Sequence, residues 1–121
     1  EMGQIEGGFV QGAGWLGCEE VNWKTNGQIT THSPSTYKIP AVSDMPEKFN
    51  AEIFKKGKNI ENVINKSKTT GEPPLMNAMS VFFAVKNAIA SIGNYTINPK
   101  LDAPATPEKI LMSIKNLKRR I

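Results

Sequence analysis

Residues 67–92 read Ser67-Lys-Thr-Thr-Gly-Glu-Pro-Pro-Leu-Met-Asn-Ala-Met-Ser-Val-Phe-Phe-Ala-Val-Lys-Asn-Ala-Ile-Ala-Ser-Ile92, a stiff polar loop running into the most regular apolar pattern of the chain. Leu75, Met79, Phe82, Val85, Ile89 and Ile92 follow steps of three and four residues, which predicts a helix over 75–92. Pro73 and Pro74 fix φ and suit the first turn of a helix, and Gly71 is open to backbone angles closed to other residues. Glu72 is therefore held on a stiffened loop at a helix start. Two local readings follow: an acid that complements the helix dipole, or a carboxylate positioned for chemistry. The opposite stripe, Asn77, Ser80, Ala84, Asn87 and Ser91, is polar but uncharged, and Lys86 is the only charged side chain between Pro73 and Pro99. A surface helix carries charge on its wet face, so this one is expected to be sheathed on most sides.

Upstream, Ile5, Phe9, Val10, Ala13 and Leu16 lie close to helical spacing over residues 4–21. The same stretch holds Gly7, Gly8, Gly12, Gly14 and Gly17, each costing about 0.8–1 kcal/mol relative to alanine inside a helix. Together they forfeit roughly 4–5 kcal/mol, comparable to the whole stability of a marginal domain. Bare backbone must be required there, for close packing of another chain segment or of a flat ligand. Gln4 and Gln11 lie on this segment, and a buried glutamine must find partners, so one of them is a candidate for a polar ligand.

From Val21 to about Ile29 the pattern turns strand-like, with a turn at Thr25-Asn26-Gly27. Residues 29–46 carry Pro34, Pro40 and Pro46 and read as an extended crossing, while Phe49, Ala51 and Ile53 alternate as a half-buried strand. After a loop over 93–106, Thr106-Pro-Glu opens a last helix with Thr106 as cap, Pro107 at its first position and an acid in the first turn. Ile110, Leu111, Ile114 and Leu117 form its apolar face. The expected fold class is α+β: about three helices with a few short strands. Trp15, Trp23 and the methionines are expected in the core.

Composition narrows the function. The 121 residues suit one domain. The net charge of +4 gathers at Lys115, Lys118, Arg119 and Arg120, a solvated end without interleaved base-stacking aromatics, so nucleic acid is not an expected partner. Cys18 is the only cysteine and His32 the only histidine. This excludes an intramolecular disulfide and a thiolate-held zinc or iron–sulfur cluster, and no metal ligand set is expected. No apolar run approaches the ~20 residues of a membrane span, and nothing resembles a signal peptide; a cytoplasmic location is expected. Gly12-Ala-Gly14-Trp-Leu-Gly17 matches G-x-G-x-x-G letter for letter. The residues before it are helical in period and no acid closes a following strand, so it is not read as a nucleotide loop. Glu6, Glu19 and Glu20 have no spacing that pairs two carboxylates for acid–base work.

Four ordered segments carry a resemblance: Gly3-Gln-Ile-Glu-Gly-Gly-Phe-Val-Gln-Gly12, His32-Ser-Pro-Ser-Thr-Tyr-Lys-Ile-Pro40, Ser67 to Leu75 with Ser80-Val-Phe-Phe-Ala84, and Asp102-Ala-Pro-Ala-Thr-Pro-Glu108. In this order they resemble the C-terminal part of the molybdopterin-binding subunit or domain of the xanthine dehydrogenase family, over nearly the whole of residues 1–121. The resemblance implies a molybdenum hydroxylase acting on hypoxanthine or xanthine, with Glu72 as the general base that takes the proton from a hydroxyl on molybdenum so that its oxygen attacks a purine carbon. It implies that Gln4 contacts the molybdopterin and that Gly71, in the loop of the base, packs near it. FAD and [2Fe-2S] groups would sit on other domains or subunits, which with the remainder of the molybdenum subunit are the implied partners. The isolated chain is expected to hold no cofactor, because the family's catalytic domain is several times longer; 1–121 then looks like an excised, cleaved or split-off piece. Thr69-Thr70 stands where the family usually has Ala-Val before the Gly-Glu pair. The competing expectations are a non-catalytic structural or interaction domain, and the same segment of a related aldehyde or N-heterocycle hydroxylase.

Overall fold

The glycine-rich segment forms a helix despite its cost. A computed structural model describes residues 1–121 and places α1 over Met2–Gly17. The helix from the deciding stretch starts earlier than its apolar pattern, at Glu72, because the two prolines occupy its first turn. It also breaks: α2 covers Glu72–Asn77 and α3 covers Met79–Ser91, with Ala78 between them fully buried. The last helix, α4, spans Pro107–Lys118 and begins as its sequence predicts, the Thr106 hydroxyl accepting a hydrogen bond from the Lys109 N–H at 3.4 Å, with Glu108 in the first turn. A 3₁₀ turn at Val42–Asp44 and a left-handed turn at Ile64–Lys66, where Asn65 and Lys66 take φ 51° and 54°, punctuate the long irregular middle.

The α+β expectation is overturned. The chain is 44% helical and contains no sheet. The predicted turn at 25–27 does fold, with Gly27 at φ +82° and an antiparallel bridge between Trp23 and Ile29, but the bridge is isolated. A two-stranded ribbon with no third strand and no covered face does not propagate. The alternation at 49–53 fails for another reason: Phe49 packs its ring on Phe9 of α1, centroids 5.5 Å apart, and no neighbouring strand supplies a ladder. Residues 30–54 thus form an irregular strap laid against a helix.

The core lies toward the C-terminal end. Ile89 of α3 meets Leu101 and Ala105 of the following loop, and Phe82, Val85, Ile110 and Ile114 pack around them. The Ala105 N–H donates to the Leu16 carbonyl at 2.6 Å, tying this loop to the end of α1. Met79 and Ile92, expected on the buried stripe of the 75–92 helix, are partly exposed, at 46% and 38%. So are Trp15 at 56% and Trp23 at 59%, together with Met76 and Met112, which corrects their assignment to the core.

Only 10 of 121 residues are buried, and the chain exposes 9508 Å². A self-contained monomer of this mass exposes about 6,500 Å² by the usual surface–mass relation. The sheath expected around residues 75–92 is absent from the chain itself: Met76, Met79, Val81 and Phe83 are all exposed.

Candidate functional site

α1 and the start of α2 approach each other closely at bare backbone. A Cβ on Gly12 would run into the Leu75 carbonyl oxygen and lie 2.7 Å from the Ala78 Cβ, and one on Gly8 would run into the Gly71 carbonyl oxygen. Both distances fall inside van der Waals contact, so only glycine admits this crossing. Gly14 performs the same service for the strap, where the Pro40 ring fills the space a side chain would need. Three of the costly glycines are thereby explained by packing within the chain.

Gly3 and Gly7 are not. A Cβ at either position would meet nothing within 4 Å, and the same holds at Gly17, at the other end of α1. Gly3 and Gly7 line an open groove of about 560 Å³ between α1 and the loop leading into α2, together with Gln4, Gln11, Thr69, Gly71 and Glu72. The three residues singled out from the sequence, Gln4, Gly71 and Glu72, thus share one groove, although Gln4 is distant in the chain from the adjacent Gly71 and Glu72. A Cβ on Gly71 would lie 3.8 Å from the Gln4 carbonyl oxygen and 3.9 Å from its Oε1, so the Gln4 side chain lies alongside Gly71. Gly71 itself has φ −93° and ψ −31°, ordinary helical backbone; the conformational freedom anticipated for it is not used.

Glu72 is exposed in the first turn of α2, and Gly71 offers no side-chain cap to that turn. Its carboxylate has no ion-pair partner, and the side-chain amides of Gln4 and Gln11 make no hydrogen bond within the chain. No lysine or arginine lines the groove. It therefore offers one anionic acceptor, two neutral amides that both donate and accept, and uncovered helix backbone. No group of three or more His, Cys, Asp or Glu side chains comes together to hold a metal ion.

A small polar cluster sits near the C-terminal end of α1, outside this groove. The Tyr37 hydroxyl donates to Glu19 Oε2 at 2.5 Å, which raises the tyrosine's pKa, burial adding to the effect. Asp44 accepts from the Ala41 N–H at 2.9 Å and pairs with Lys38 at 3.5 Å; the backbone bond, then the lysine, pull its carboxyl below the usual value. Cys18 lies beside them with its thiol pKa raised by burial, which the Lys38 charge opposes. Lys109 reaches Glu20 at 3.4 Å and joins α4 to the end of α1. These contacts pin the strap and α4 to the C-terminal end of α1. The G-x-G-x-x-G run lies between them inside continuous helix, its N–H groups engaged in helical bonds, and cannot form a phosphate-binding loop. No helix of the structure is long and apolar enough to cross a membrane.

Residues 1–46, which hold α1 and the first part of the strap, match the family model described as a molybdopterin cofactor-binding domain. The chain is 45% identical over 116 residues to a xanthine dehydrogenase/oxidase of Felis catus, covering 91% of this chain and 9% of that relative. It is 42% identical over 124 aligned positions to a xanthine dehydrogenase of Oryza sativa subsp. japonica, with 93% and 9% covered, and 43% identical over 116 to one of Dictyostelium discoideum, with 93% and 8% covered. The chain thus spans about a tenth of the length of these relatives. The Gly-Glu-Pro-Pro loop lies beyond the 1–46 match, yet identity above 40% persists across more than nine-tenths of the chain. With more than nine-tenths of its length so matched, the chain belongs to the xanthine dehydrogenase family as a segment of its molybdopterin-binding region.

Proposed function

We propose that this chain forms one wall of the molybdopterin site of a xanthine dehydrogenase-type molybdenum hydroxylase, with Glu72 as general base and Gln4 and Gly71 at the cofactor. The observation that carries the reading is the groove shared by Gln4, Gly71 and Glu72. The fit to a flat cofactor rests on Gly3 and Gly7, whose missing side chains leave room that no part of this chain uses. When bound, the molybdenum group supplies a metal-activated oxygen for transfer to an electron-poor carbon and accepts the electrons released. Glu72 holds the proton taken in that step on its carboxylate. Pro73 and Pro74 stiffen the backbone that carries Glu72 into the first turn of α2, which limits how far its Cα can move relative to α1. Gln4 supplies a neutral amide that positions the cofactor's edge without adding charge beside the base. The substrate class is a purine such as hypoxanthine or xanthine, and the electrons leave through FAD and [2Fe-2S] groups on domains outside these residues.

The groove is only one wall. About 3,000 Å² of surface beyond that of a self-contained monomer is comparable to the area buried in obligate interfaces, and the uncharged face of α3 is where such cover belongs. The partner of this chain is accordingly the remainder of the molybdenum-binding protein. In the full-length protein, Glu72→Gln is expected to leave molybdenum content unchanged and to lower xanthine turnover by roughly 10²–10⁴-fold. Metal analysis alongside steady-state urate formation checks both halves, and turnover within a few-fold of wild type would remove Glu72 from the base role.

A further inference from the structure

The geometry points to Gln11 as a second cofactor-binding amide, extending the groove beyond Gln4; this rests on the groove being a molybdopterin wall. Gln4 and Gln11 both line it, seven residues and therefore about 10.5 Å of helix rise apart. Gly3 and Gly7 leave that face of α1 uncovered. Polar side chains are scarce on this helix: across Met2–Gly17 only Gln4, Glu6 and Gln11 carry polar groups other than the indole of Trp15, and Glu6 does not line the groove. Both glutamines are exposed in the chain, and neither side chain has a hydrogen-bond partner within it. A helix with one charge on its whole length is not built to face water, so an amide on its bare face has a partner elsewhere.

The ligand chemistry follows from what is present and what is missing. Each amide offers a donor and an acceptor, the pattern that reads the edge of a nitrogen heterocycle. No cation lines the groove, and Glu72 brings a negative charge to it, so a phosphate is poorly matched here. Gln11 therefore meets the neutral heterocyclic part of the cofactor, not its anionic tail.

The test uses the full-length protein with Gln11→Ala, Gln11→Glu and Gln4→Ala, reading molybdenum per chain, released-pterin fluorescence and the melting temperature of the cofactor-free form. Gln11→Ala is expected to lower cofactor occupancy roughly three- to tenfold at limiting cofactor without moving that melting temperature. Gln11→Glu is expected to be at least as damaging, because it replaces an amide donor by a second carboxylate. Full occupancy in Gln11→Ala while Gln4→Ala loses cofactor would overturn the assignment of Gln11 and leave the groove intact. Full occupancy in both alanine variants would overturn the groove itself. A loss in Gln11→Ala accompanied by a lower melting temperature of the cofactor-free form would assign Gln11 to structure.

Discussion

Glycines on one helix carry opposite roles here, and substitution separates them. Gly12 faces the Leu75 carbonyl and Ala78, so Gly12→Ala forces α1 and α2 apart and is expected to destabilise by about 1–3 kcal/mol. Gly7 has nothing within 4 Å, so Gly7→Ala is expected to stabilise by up to about 1 kcal/mol through helix propensity alone. Urea unfolding of the two variants beside wild type distinguishes them, and equal effects would contradict the crossing described. A second residue-level expectation concerns acid. Asp44 has its carboxyl pulled down by the Ala41 N–H and Lys38. Its contribution is present above the ordinary carboxylate value of 3.8 and is lost as pH falls through the lower folded value. Asp44→Asn is expected to flatten the stability–pH curve below about pH 4 while leaving its shape at neutral pH unchanged; acid titration followed by circular dichroism checks it.

Among the elements, those with local causes were the ones legible in advance. Thr106-Pro-Glu specified the start of α4 because capping and proline geometry act within four residues. The prolines did the same for α2. The break at Ala78 was not legible, because Ala78 is a good helix former and the interruption lies where α1 crosses. The strands failed in the opposite direction. Alternation at 49–53 describes a surface that would suit a sheet, but a strand exists only when a neighbour completes its ladder. Phe49 found a helix ring instead. The candidate site was legible in its members and not in its geometry: Gln4, Gly71 and Glu72 could be named from motif resemblance, whereas Gly3 and Gly7 could be told from Gly8, Gly12 and Gly14 only once α2 was in place.

The molecule as a whole exposes a surface that water does not favour. Phe54 is 76% exposed and Ile60 90%, and α2 and α3 expose Met76, Met79, Val81 and Phe83, with no acid on α3. The 121-residue chain produced without the rest of its relatives' length is expected to bind a hydrophobic dye, to melt over a broad range and to retain no molybdenum. Dye fluorescence, calorimetry and metal analysis on the purified chain check this. A sharp cooperative transition with no dye binding would show that these surfaces need no cover.

Residues 1–121 carry within themselves the helix starts, the hairpin turn at Gly27, the exclusion of disulfide and thiolate clusters, and the motif order that marks the xanthine dehydrogenase family. Each depends on neighbours in the chain or on residue identity alone. The absence of a sheet, the break at Ala78, the division of the glycines and the groove that Gln4 shares with Glu72 were decided in three dimensions. They depend on which segments touch, and α1 meets the Gly-Glu-Pro-Pro loop only because bare backbone at Gly8 and Gly12 lets two main chains approach where side chains would hold them apart.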